Sequence, residues 1–132
     1  MPFVTAAREF VLHPETIRTS SRKREIMVDS VQFLLDNNHI GRTNAVSTEV
    51  IVEYLNGLGH NIKRGPWETD ILGILRDNEI WIGSKLGSTG GIFIIQNRDD
   101  ANIVKAEYGG KFHTMMRRYQ ILERLETAFP QN

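Results

Sequence analysis

The chain has no cysteine among its 132 residues. That excludes a disulfide frame and any thiolate metal site, and it suits a cytoplasmic protein. Charge of one sign is also missing: 16 Lys and Arg balance 16 Asp and Glu. The halves do not separate either, with 8 basic and 7 acidic side chains in 1–66 and 8 and 9 in 67–132. Affinity for a polyanion comes largely from Lys and Arg on phosphates, so any such surface must be a local patch. No apolar run approaches the ~20 residues that span a bilayer. The opening residues are interrupted by Arg8 and Glu9 and lack the apolar run of a signal peptide. The four histidines, 13, 39, 60 and 113, are scattered without metal-ligand spacing. Asp99-Asp100 and the pair Glu123 and Glu126 fall at a helix start and on an amphipathic helix, ordinary places for acids. No catalytic geometry, metal site, cofactor or small-molecule ligand is therefore expected, and the expectation is a non-enzyme.

What is present is an ordinary globular composition, 40% hydrophobic and 24% charged, in a chain long enough to bury a core without staples. Residues 1–19 carry Pro2 and Pro14 and show no clear period, so they read as an arm that packs on the body or on a partner chain. Ser20 or Ser21 caps a first helix to about Asn37, with Met27, Val31, Leu34 and Leu35 as its apolar stripe. Ala45-Val46 suggests a brief strand. Ser47 or Thr48 then caps a second helix that should bury Val50, Ile51, Tyr54 and Leu55. A third helix begins at Pro66, with Trp67, Ile71, Ile74 and Leu75 inward. After Asn78 the period changes to that of strands. Ile80-Trp81-Ile82 and Ile92-Phe93-Ile94-Ile95 flank a glycine-rich loop, which predicts a β-hairpin within 79–96. The remainder reads as two helices, one from Asp99 or Asp100 to about Tyr108 and one from Lys111 to about Ala128, broken or kinked at Gly109-Gly110.

The order helix, helix, turn, helix, strand, loop, strand is that of a winged helix-turn-helix. The expected fold is mainly α with a small β-hairpin and an added C-terminal helix. The layout is an N-terminal arm at 1–19, a winged-helix domain at 20–98 and a helical extension at 99–132. The run from Ile71 to Ser84 looks like the end of a recognition helix passing into the first wing strand, and Gly90-Gly91-Ile92-Phe93-Ile94 looks like the return strand. Together with the later helix carrying Arg117-Arg118 and Ile121-Leu122, the stretch 44–125 resembles small winged-helix proteins of phages and prophages. The resemblance implies a double-stranded DNA-binding protein, a transcriptional regulator or replication-associated factor. Folds alone do not fix functions.

In a helix-turn-helix the second helix of the motif enters the major groove. Here its outward face would show Glu68, Thr69, Asp70, Gly73, Arg76 and Asp77, which is acidic. The expected DNA contacts are Arg42 and Asn44 before the second helix, Lys63 and Arg64 ahead of the third, Thr69 and Arg76 on it, and Lys85 and Ser88 on the wing. An arginine at position 76 can instead be structural, pairing near the helix end. The wing loop lacks the spacing of a nucleotide-binding loop and leads into a strand. Arg18, Arg22, Lys23 and Arg24 form a basic cluster that reads more readily as a solvated helix start. The alternative to DNA binding is a protein-interaction module on the same frame. In the last helix Phe112, Met115, Tyr119 and Leu122 follow three-four spacing, which points to a homodimer formed chiefly by 111–128.

Overall fold

The computed structural model describes residues 2–85 and 90–126. The chain is mainly helical with a two-stranded antiparallel sheet. In order come α1 (Pro2–Leu12), a 3-10 turn (Pro14–Thr16), α2 (Ser21–Asp36), a 3-10 turn (Arg42–Asn44) and α3 (Thr48–Gly57). Then follow α4 (Arg64–Pro66), a π turn (Trp67–Leu72), α5 (Gly73–Asp77), β1 (Ile82–Lys85), β2 (Gly91–Ile94) and α6 (Arg98–Glu126). Two compact units divide the chain, one up to Ala101 and one from Asn102 onward.

Residues 2–12 form a helix, which the sequence does not indicate, and they pack on the body as the expected arm does. Pro2 occupies the first helical position, which tolerates its missing N–H. Val4, Ala7 and Phe10 are buried in the core of the first unit. The Ser20 and Ser47 caps form as expected, accepting from Lys23 N and Val50 N. In α3, Ile51 and Leu55 are buried, whereas Val50 and Tyr54 are exposed. The Tyr54 ring rests on Phe33 at a centroid distance of 4.6 Å, so one face is covered while its edge meets water.

The helical segment 64–77 rests on α2 through Trp67. This residue and Ser30 are fully buried. The indole Nε1 donates to Ser30 Oγ at 3.1 Å, and Ser30 Oγ donates to Ile26 O at 2.7 Å. A buried indole N–H without a partner would forfeit the hydration it had in the unfolded chain. The π turn over 67–72 widens the helix by about one residue per turn. Ile71 and Leu72 both point inward as a result, and Ile74 is only partly buried.

β1 and β2 pair from Ile82↔Ile94 to Lys85↔Gly91. Val46 bridges antiparallel to Ile92, with Val46 N donating to Ile92 O at 2.9 Å and Ile92 N to Val46 O at 2.7 Å. In place of the brief strand expected at Ala45-Val46 there is this single bridging residue, which ties the N-terminus of α3 to the hairpin. Position 91 admits only glycine: a Cβ there would overlap the Val46 carbonyl and lie 2.9 Å from Ser47 N.

α6 is one continuous helix, not two. Its chain passes through Gly109-Gly110 without a break. Glycine costs about 1 kcal/mol per helical position relative to alanine, a modest penalty for a helix of 29 residues. The expected end near Ala128 lies outside the described residues.

Ser30→Ala is expected to cost about 1–3 kcal/mol in urea unfolding, because the Trp67 N–H is left buried and unpaired. Trp67→Phe added to Ser30→Ala should cost less than the sum of the two single changes. Strict additivity would show that the bond contributes nothing.

Candidate nucleic-acid interface

The turn between α3 and α4 reverses the chain through Gly59 and Asn61, both at positive φ. Asn56 holds the far side, accepting from Ile62 N at 2.7 Å and donating to Ile62 O at 3.0 Å. α2 grips the turn from below. Arg22 Nη2 reaches His60 O and Asn61 O at 3.2 and 3.4 Å, and His60 Nε2 sits 2.5 Å from an Asp29 carboxylate oxygen. This anchoring fixes where Lys63 emerges.

The result is a cleft of about 300 Å³ with Arg22, Lys23, Asn61 and Lys63 on its walls and Ile26, Ile62 and Ile71 beneath. Asp70 also borders it. Three cations against one carboxylate make a local basic site on a neutral chain. Of these cations only Lys63 stands among the contacts expected from sequence. Arg22 and Lys23 are visible in the sequence as a basic cluster, but only folding sets them beside the α3–α4 turn. Their neighbour Arg24 is committed elsewhere, donating to Ile17 O at 3.0 Å and to Thr19 O at 3.4 Å.

The other expected contacts fall into two groups. Several are engaged within the chain. Arg64 donates through Nε to Glu68 and through Nη1 to Glu49, each at 3.0 Å. The hydrogen bond and charge of Glu68, then those of Glu49, raise its pKa above the ordinary arginine value. The site is exposed, so solvent screens these pairs and a competing phosphate meets little resistance. Arg76 Nε donates to Ile82 O at 2.8 Å and Nη2 to Ser84 Oγ at 2.9 Å, with the guanidinium 5.9 Å from the Trp81 ring centroid. It therefore clips α5 to β1, the structural alternative raised for it above. The Asn44 amide donates to Ile40 O at 3.0 Å and the Asn44 carbonyl meets His39 Nδ1 at 2.8 Å, closing the 42–44 turn. Thr69 Oγ1 donates to Gly65 O at 3.1 Å on an exposed face.

The second group has no such fixed role. Lys63 is exposed just before α4. Lys85, half-buried, ends β1 opposite Gly91, which itself abuts Val46 and Ser47 at the start of α3. Arg42 is half-buried beside β2, with its Nε enclosed and lacking a hydrogen-bond partner. Ser88 lies outside the described residues. Glu68, Asp70 and Asp77 are exposed, so the outer face of 64–77 is acidic, as its sequence indicates, and Glu49 of α3 is exposed as well.

On α6, Phe112, Met115, Tyr119 and Leu122 are each exposed by 59% or more. Among the described residues no group of three His, Asp or Glu side chains is arranged to hold a metal, and no helix is long and apolar enough to cross a membrane. Compared with protein-family models, with curated proteins and with solved structures, the chain matches none.

Arg76→Ala is expected to lower stability by about 1–3 kcal/mol through the two lost bonds, with faster hydrogen exchange confined first to β1. A variant with unchanged stability and weakened nucleic-acid binding would instead make Arg76 a contact residue.

Proposed function

We propose that this chain is a winged-helix protein that binds double-stranded DNA as a homodimer, in the role of a regulator or replication-associated factor. The observation that carries the fold reading is the Val46↔Ile92 bridge. It adds Val46, just ahead of α3, to the edge of the two-stranded hairpin, which supports reading α2, α3, the 64–77 helix and the hairpin as a winged helix. The Arg22, Lys23 and Lys63 cleft supports the DNA reading. Phosphates bordering the major groove fit this cleft while 64–77 approaches the base edges. Lys85 serves a second phosphate from the base of the wing. Glu68 and Asp70 can accept from cytosine N4, so the acidic face is compatible with base readout once flanking cations hold the backbone.

A second reading has its own support. The exposed Glu49, Glu68, Asp70 and Asp77 fit a basic protein partner, with the same frame acting as an interaction module.

A mobility-shift series on random duplexes separates the two. The DNA reading expects binding at low salt that falls steeply as salt rises, through counterion release. Lys63→Gln and Lys23→Gln should each weaken it several-fold and reduce the salt slope by about one. Absence of binding at 20–50 mM salt, roughly the low-salt regime in which phosphate contacts are strongest, would favour the interaction module.

The dimer proposal rests on the exposed stripe of α6, since contiguous exposed apolar side chains mark interaction surfaces. Tyr119→Ser with Leu122→Ser is expected to give a folded monomer in light scattering and to reduce DNA affinity at least about tenfold, through loss of the second half-site. A wild-type monomer at micromolar concentration would refute the dimer.

A further inference from the structure

The exposed side chains of α6 repeat with the period of a coiled-coil seam. Tyr108, Phe112, Met115, Tyr119 and Leu122 are separated by four, three, four and three residues, and all are exposed. Placing Phe112 and Tyr119 at heptad position a puts Tyr108, Met115 and Leu122 at d. The remaining positions sort accordingly. His113, Thr114, Arg117, Gln120 and Arg124 fall on the outer face together with Ile121, while Met116 and Leu125 widen the seam at its flanks and Lys105 at position a ends it. Such a surface on a helix of 29 residues matches a second helix with the same repeat.

Charge decides the orientation. Flanking position g holds Val104, Lys111, Arg118 and Leu125, and position e holds Gly109, Met116 and Glu123. In a parallel pair, g of one helix meets the following e of the other. Arg118 then faces the partner's Glu123, twice by symmetry. In an antiparallel pair g meets g, and the charged g residues of this helix, Lys111 and Arg118, are both cations. Antiparallel docking therefore sets like charges against one another at the seam.

From this complementarity we infer that α6 joins two copies of the chain as a parallel, in-register two-stranded coiled coil through residues 108–122. The inference rests on the homodimer proposed above and adds its orientation and register. Chain connectivity gives it a consequence. Each first unit leads into α6 near Ala101, so in the parallel form both join the coil at the same end. In an antiparallel pair centred between Met115 and Tyr119, the two joining points would lie about 50 Å apart along the axis, at 1.5 Å per residue. Only the parallel form has both chains enter the coil at the same end.

The absence of native cysteine makes a direct test possible in the intact chain. Met115→Cys should form a disulfide-linked dimer with itself under mild oxidation, because d residues of a parallel, in-register pair face each other. A mixture of Met115→Cys and Tyr119→Cys chains should give mainly self-linked products. Arg118→Glu should raise the dimer dissociation constant about tenfold, and adding Glu123→Arg should restore it. Helix content by circular dichroism confirms that each variant is folded. Preferential cross-linking of Met115→Cys chains to Tyr119→Cys chains, with dimers tightened by Arg118→Glu, would overturn the parallel arrangement while leaving the homodimer intact. Wild-type protein that is monomeric by light scattering would overturn both.

Discussion

The fully buried Trp67 is the constraint on which the other features depend. Its indole is the largest side chain in the core, and its N–H has to find an acceptor where no water reaches. Ser30 meets that need from the middle of α2, while its own hydroxyl proton goes to the helix carbonyl of Ile26. The pair fixes the depth at which 64–77 lies against α2. Everything exposed on 64–77, and everything leading into it, takes its position from that contact.

Two further anchors extend this control outward. At the N-terminal end, Arg22, Asp29 and Asn56 hold the α3–α4 turn by backbone and side-chain bonds. At the C-terminal end, Arg76 holds β1. The hairpin is then locked from its other edge by Val46, an approach that only a glycine at 91 permits. Polar residues that a sequence offers as ligands for phosphate thus divide by geometry. Arg76 and Asn44 hold the frame, Arg64 spans Glu49 and Glu68, and Lys63 and Lys85 lie at its surface.

A chain with 16 positive and 16 negative side chains gains nothing from its net field in approaching a polyanion. The proposed function therefore relies on local concentration of charge, in the cleft of Arg22, Lys23 and Lys63, and on doubling that site by dimerisation. Linking two weak sites raises the effective concentration of the second after the first has bound. In that proposal the acidic outer face of 64–77 opposes indiscriminate phosphate binding and restricts contact to arrangements that place the flanking cations correctly.

Local rules were enough for much of this protein. The Ser20 and Ser47 caps, the helices α2 and α3 and the change of period after Asn78 are all set by near neighbours, so they are legible in sequence. The same holds for the exposed stripe from Phe112 to Leu122, whose period is its own signal. Tertiary structure decided the rest. Whether Pro2 interrupts or opens a helix depended on a core for Val4, Ala7 and Phe10 to enter. The inward turn of Leu72 came from a π turn that a 3.6-residue period cannot anticipate. The basic cleft joins residues about forty positions apart, Arg22 with His60 and Asn61. Likewise the partners of Arg64 and Arg76 were chosen by which carboxylates and carbonyls folding brought within reach. Spacing along a chain determines which side chains share a face, but electrostatic and hydrogen-bonding partners depend on distances that only packing sets.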